Sequence, residues 1–308
     1  MTDSPGFSGV ITPVLTPFGD DGSADAERFV AHAQWLMAEG CTGLAPFGTT
    51  SEANSLGLDE RMELLEELID AGLDAEKLMP GTGMCSLMDA LTLTRHAVDL
   101  GCGGVLMLPP FYYKAPAEAG LFRFFADVIE GVGDERLKIY LYHIPPVAQV
   151  GFSLSLIGQL VKEFPKTIVG LKDSSGDWQN TLSILKEFPQ LQVFPGSEVF
   201  LLDGLRNGAA GCISATCNVS AAAIREVYDN WKGPNADALQ AGITSLRKAI
   251  QAYPMIPALK AVIAHYRRDE GWARTRPPFL PLPADEANKV IRTLADAHNF
   301  RLDFANAA

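Results

Sequence analysis

The chain has 308 residues, 47% hydrophobic and 20% charged, the composition of an ordinary globular protein and long enough for one α/β barrel with an appendage. Its formal charge of −12 and the lack of any basic stripe argue against nucleic acid or an anionic membrane as partner, because phosphates reward clustered Lys and Arg. The opening Met1-Thr2-Asp3-Ser4-Pro5 has no basic residue and no apolar segment, and no run of about 18 apolar residues occurs, so a cytoplasmic location is expected. Cys41, Cys85, Cys102, Cys212 and Cys217 are odd in number and lack CxxC spacing. Free thiols are expected, with neither a disulfide framework nor a metal site.

In chain order, strand-like and helix-like segments alternate for about three quarters of the length. Residues 10–15 read as a first strand, and Ser23 can cap a helix that puts Phe29, Val30, Ala33 and Met37 on one face. Residues 43–47 form a second strand, followed by the turn Gly48-Thr49-Thr50-Ser51-Glu52 and a helix aligning Met62, Leu65 and Ile69. A third strand is expected near 77–80, and Ser86 with Asp89 suits a capping box for the next helix. A fourth strand, 105–108, precedes a helix striped with Leu121, Phe124, Phe125, Val128 and Ile129. The fifth strand, 137–142, precedes a helix that Ser153 caps. The sixth closes at Lys172 in Thr167-Ile168-Val169-Gly170-Leu171-Lys172. Strands at 191–194 and 211–214 complete the set, each followed by a helix.

Eight β-then-α units close naturally into a (β/α)8 TIM barrel. An internal echo supports the count: Gly40-Cys41-Thr42-Gly43, Gly101-Cys102-Gly103-Gly104 and Gly208-Ala209-Ala210-Gly211 each join a helix end to a strand. The first glycine suits a left-handed helix cap. The barrel is expected over residues 1–232 as the catalytic domain. Beyond Gly233-Pro234-Asn235, helices at 238–252, 257–268 and 284–297 give a C-terminal three-helix extension, 233–308. The prolines of 277, 278 and 281 keep the last connection from being helical throughout.

Working groups of such a barrel sit at the carboxyl ends of its strands. Lys172 ends strand six. A lysine closing a strand is ordinarily a solvated end charge; walled by aliphatic residues, its amine is instead a nucleophile for ketones. Tyr142 ends strand five, close enough to pass protons, although a core aromatic is the plainer role for it. Gly48, Thr49 and Thr50 end strand two and offer N–H and hydroxyl donors that suit a carboxylate, or simply a helix cap. Glu52 reads as structural, bonding the loop from within. Tyr112 and Tyr113 follow strand four and reach the same mouth, a neighbouring subunit or merely each other. His143 should point away from Tyr142 by strand alternation.

Together, Gly48-Thr49-Thr50-Ser51-Glu52, Pro110-Phe111-Tyr112-Tyr113, Tyr142-His143-Ile144-Pro145 and Gly170-Leu171-Lys172-Asp173 resemble the dihydrodipicolinate synthase / N-acetylneuraminate lyase family, class I Schiff-base pyruvate aldolases. The resemblance implies a (β/α)8 barrel with a C-terminal helical domain, usually tetrameric, that needs no metal or other cofactor. It also implies that Lys172 forms a Schiff base with pyruvate or a related 2-oxo acid and Tyr142 shuttles protons. Thr49 and Thr50 would hold the carboxylate, and Ile213 would add backbone contacts. The partner substrate is an aldehyde that the sequence does not identify.

Departures narrow this expectation. Dihydrodipicolinate synthases proper follow the tyrosine motif with an arginine for the second substrate's carboxylate. Here Pro146-Val147-Ala148-Gln149-Val150-Gly151 has none. Ala215 falls near the place of a sialate lyase serine, Ser51 stands in the turn where glycine is usual, and His143 replaces an asparagine. The expected function is a lyase or aldolase cleaving or forming a 2-oxo acid. A 2-oxo acid dehydratase or a dihydrodipicolinate synthase using the same imine remain alternatives, as does a non-catalytic 2-oxo acid binding protein.

Overall fold

The structure, a computed structural model, describes residues 6–304. Its strands are β1 (Gly9–Thr12), β2 (Gly43–Leu44), β3 (Val105–Met107), β4 (Ile139–His143), β5 (Ile168–Asp173), β6 (Gln192–Pro195) and β7 (Gly211–Ile213). All pair in parallel, in the orders β2-β1-β7 and β3-β4-β5-β6. Two seams join these groups into a cylinder. Residues 78–82 fill the gap between β2 and β3: Met79 N donates to Leu44 O at 2.8 Å, and Leu106 N to Pro80 O at 2.9 Å. Across the other seam Ala210 N donates to Val193 O at 2.9 Å. The fold is the (β/α)8 barrel with a helical C-terminal region. Its expected third strand occupies its place through isolated bridges only, Leu44 with Leu78 and Gly81 with Leu106, because Pro80 brings no N–H to the ladder.

Side-chain alternation divides the barrel wall into two layers. Inward residues Ile11, Ala45, Met79, Leu106, Tyr140, Phe194 and Ile213 form one buried cluster. Gly170 makes room for it, since a Cβ there would lie 2.3 Å from Tyr140 Cδ1. Outward residues such as Val105, Leu141 and Val193 pack against the surrounding helices. The repeated αβ connection is visible in its hydrogen bonds: Cys41 N to Leu36 O, Cys102 N to Ala97 O and Ala209 N to Gly204 O each close the same helix-ending loop. Gly40, Gly101 and Gly208 sit there at φ of 94°, 80° and 93°, and Gly72 repeats the arrangement at 89°.

Local differences from the expected elements have local causes. The first helix, Ala26–Ala38, is capped by Asp25, which accepts from Arg28 N at 3.0 Å, because the Ser23 hydroxyl is already bonded to Asp21. β1 stops at Thr12 before Pro13. Ser86 and Ser153 cap the helices Leu87–Asp99 and Leu154–Glu163. Three C-terminal helices, Ala236–Gln251, Met255–Arg267 and Ala284–His298, share a core of Leu246, Ile250, Leu259, Val262, Val290 and Leu294. Leu15 and Val219 from the barrel join that core, so the helices pack against the end where β1 leaves the sheet. Among the described residues no helix is long and apolar enough to cross a membrane.

Candidate active site

Register places the central pair. Tyr142 of β4 lies directly opposite Lys172 of β5, and His143 opposite Asp173. Parallel partners at one level share a face, so Tyr142 and Lys172 both enter the barrel while His143 and Asp173 face the helices. Both inward residues are only 3% exposed. The Lys172 amine rests over the Tyr142 ring, 4.2 Å from its centroid. The buried ion pairs of the described residues, Arg247 with Glu198 and Lys260 with Glu52, leave Lys172 out. Its amine is therefore not committed to a carboxylate.

The Tyr142 hydroxyl extends beyond the ring to the turn after β2, 3.2 Å from Thr49 Oγ1. That turn is tightly built: Ser51 N and Ala53 N both reach back to Gly48 O at 3.2 Å, while Ser51 Oγ donates to Val14 O at 2.5 Å. Phe47 and Glu52 bound it at φ of 61° and 56°, a left-handed conformation that side-chain-bearing residues adopt only when their surroundings impose it. Thr50 is buried, and the space where a Gly48 side chain would stand is empty to 4 Å. Ile213 ends β7 with its side chain in the same barrel interior as Tyr142. The structure thus groups Lys172, Tyr142, Thr49 and Ile213 around the barrel axis. Tyr112 stands in solvent, 72% exposed, its ring edge-on to Tyr113 at 5.2 Å.

The Glu52 side chain does not bond its own loop, contrary to expectation; only its backbone does, Glu52 N donating to Thr49 O. Its carboxylate pairs with Lys260 of Met255–Arg267 and accepts from Arg276 N at 2.9 Å. Sequence spacing gives no hint of a contact across 208 positions; the only signal was a lysine inside an otherwise apolar helix, Ile256-Pro257-Ala258-Leu259-Lys260-Ala261-Val262-Ile263. Two further supports were missed. Asp173 accepts from Ser175 N, Asn180 Nδ2 and Thr181 Oγ1, at 2.9, 3.0 and 2.6 Å, fixing the backbone next to Lys172. Glu198, wholly buried, takes the hydroxyls of Ser214 and Thr216 and Arg247 Nη1, the last at 2.9 Å, and so clamps the loop beyond Ile213.

Burial shifts two titratable groups that flank the strand ends. His143 is held below its ordinary value by burial, with Asp173 opposing, and its Nδ1 accepts from Phe152 N at 3.0 Å. A neutral, bonded imidazole on the outer face is a structural part. Burial pushes Lys260 down to about 8, with Glu52 resisting. A separate cavity of about 630 Å³ is lined by Arg28, Arg267, Asp25, Asp269 and Trp272. Arg28 there is already bonded to both Asp25 and Asp269. Among the described residues no three His, Cys, Asp or Glu side chains converge as metal ligands.

Comparison with known proteins decides the family. Residues 6–297 match the Dihydrodipicolinate synthetase family. The chain belongs to it. An uncharacterised DapA-like lyase of Chloroflexus aurantiacus is 34% identical over 280 residues, covering 90% of this chain and 93% of that one. A 4-hydroxy-tetrahydrodipicolinate synthase of Agrobacterium fabrum is 35% identical over 290 residues, 91% and 95% of the two chains. Among solved structures, dihydrodipicolinate synthase from Agrobacterium tumefaciens superposes with a TM-score of 0.87 at 30% identity, covering 94% of this chain and 98% of that one. As a member of this family the protein is an enzyme of the Schiff-base lyase and aldolase class.

Proposed function

We propose that the protein cleaves or forms a 2-oxo acid through an imine between Lys172 and pyruvate or a closely related 2-oxo acid. One observation carries the reading: an amine without a carboxylate partner lies inside the barrel against Tyr142, whose hydroxyl meets Thr49 of a donor-rich turn. In this reading Thr49 Oγ1 and the N–H groups of the turn take the carboxylate and orient the C2 carbonyl toward Lys172 Nζ. The neutral amine adds to C2 and gives a carbinolamine. Tyr142 delivers the proton with which the hydroxyl leaves as water, and the iminium forms. With a 4-hydroxy-2-oxo acid bound, that cation draws the C3–C4 bonding pair into an enamine as the C4 hydroxyl gives its proton to the Tyr142 phenolate and an aldehyde departs; in synthesis the enamine of pyruvate attacks the aldehyde instead, and Tyr142 protonates the new alkoxide. In cleavage a proton added at C3 restores the iminium, and in either direction water then adds to C2 and frees Lys172.

Residues 1–232 are proposed as the catalytic barrel and 233–308 as its helical partner domain, assembled as a cytoplasmic homotetramer. The exposed Val147 side chain on Pro145–Ala148, in a stretch without arginine, supports an aldehyde that carries little charge. Borohydride reduction with pyruvate, followed by peptide mass spectrometry, tests the imine. A reduced pyruvate adduct on Lys172 is expected, absent from Lys172→Met. Folded protein without that adduct overturns the proposal and leaves a 2-oxo acid binding protein, which calorimetry would show.

A further inference from the structure

Two buried carboxylates under the barrel mouth are neutralised from outside the barrel. Glu198, after β6, receives Arg247 from Ala236–Gln251, and Glu52, at the end of the Gly48 to Thr50 turn, receives Lys260 from Met255–Arg267. The second pair is the more enclosed, with both side chains at 0% exposure. Lys260 Nζ spends its remaining contacts on Arg274 O at 2.8 Å and on the face of Phe18, 4.4 Å from the ring centroid. The other Glu52 oxygen is held by Arg276 N. The Arg276 guanidinium bonds Glu60 and the carbonyls of Gly22 and Ser55, so the segment carrying that N–H is itself anchored to the barrel.

These contacts converge on a residue whose backbone is forced. Glu52 sits at φ 56°, and Glu52 N donates to Thr49 O at 3.1 Å, which ties the backbone of Glu52 to that of Thr49. A charged pair sealed from water tolerates few geometries, which makes it suited to holding a conformation and poorly suited to adding stability. Lys260 is far along the chain from the turn, yet it holds the carboxylate of the residue whose N–H bonds Thr49 O, and Thr49 carries the hydroxyl that meets Tyr142.

We propose that Lys260 is a positioning residue for the reaction: through Glu52 it fixes the Thr49-Thr50 turn in the geometry that receives the substrate carboxylate, making the C-terminal helices part of the site. This rests on the reading of that turn as the carboxylate holder. Loss of the strap therefore weakens capture of a 2-oxo acid and spares capture of a carbonyl compound that has no carboxylate.

The test compares borohydride trapping of pyruvate with that of acetaldehyde on the full chain, as the ratio of their half-saturating concentrations. Lys260→Met leaves Glu52 buried without its counter-charge, so Lys260→Met/Glu52→Gln, which strands no charge, is measured beside it. Thr49→Val reports on the turn itself. A rise of about tenfold or more in the pyruvate to acetaldehyde ratio for the double variant and for Thr49→Val, with folding verified by thermal melting, supports the proposal. A ratio that rises for Thr49→Val alone overturns it while the carboxylate turn stands. A ratio unchanged in both overturns the turn assignment, and the proposal with it.

Discussion

Replacing Tyr142 by phenylalanine separates the phenol's chemistry from its packing. The ring stays, and with it the face on which the Lys172 amine rests at 4.2 Å and the contacts that bury the side chain. Only the oxygen 3.2 Å from Thr49 is removed. One neutral hydrogen bond contributes about 1 kcal/mol net, so the melting temperature should shift by no more than about 2–4 °C in a chain of this size. A positioned proton donor contributes roughly 10²–10⁴ in rate, or about 3–5 kcal/mol of barrier. The initial rate of pyruvate trapping on Lys172 should fall by that factor while the final extent of labelling is retained, because the amine and the turn are intact. Quenched-flow trapping with mass spectrometry measures both. A rate within about fivefold of the parent, at unchanged melting temperature, would show that Tyr142 only packs.

Acid should destabilise the protein through His32. This imidazole is fully buried, bonded to Asn218 Oδ1 at 3.1 Å and stacked on Trp35; burial, aided by the charge of Arg267, pushes it from 6.5 down to about 3. An unfolded chain takes up the proton near 6.5 and the folded one does not. The contribution is therefore intact above 6.5 and lost as pH falls toward 3, at up to about 1.4 kcal/mol per unit. Melting temperatures of the parent and of His32→Gln, which keeps a donor for Asn218, should converge as pH drops through this range; parallel curves would refute the assignment. Light scattering of the full chain at assay concentration should give the mass of four copies, and a monomer would refute the tetramer.

Much of the site was legible because its residues end strands. A run that stops at Lys172, another that stops at Tyr142 and a Gly-Thr-Thr turn after a third carry their position in the pattern itself. A barrel then leaves one place where strand ends meet. The eight-unit count was readable for the same reason, down to the glycines that close the helices. The supports were not readable. Nothing around Glu52 distinguishes a carboxylate that bonds its own loop from one that reaches a helix 208 positions away. Glu198 and Arg247 look like ordinary surface charges until the turn after β6 and Ala236–Gln251 are brought together.

The sequence by itself therefore determined which chemistry is present, since strand period, turn residues and a lone lysine are local properties that survive without coordinates. Tertiary structure decided how that chemistry is held. It set Tyr142 opposite Lys172 by parallel register, turned His143 and Asp173 outward, left Tyr112 in solvent, and ran the charge of Lys260 to the foot of the Thr49-Thr50 turn. Those outcomes depend on which distant segments share a buried space, and burial, which leaves a charge no partner but the one packed against it, is a property of the folded chain alone.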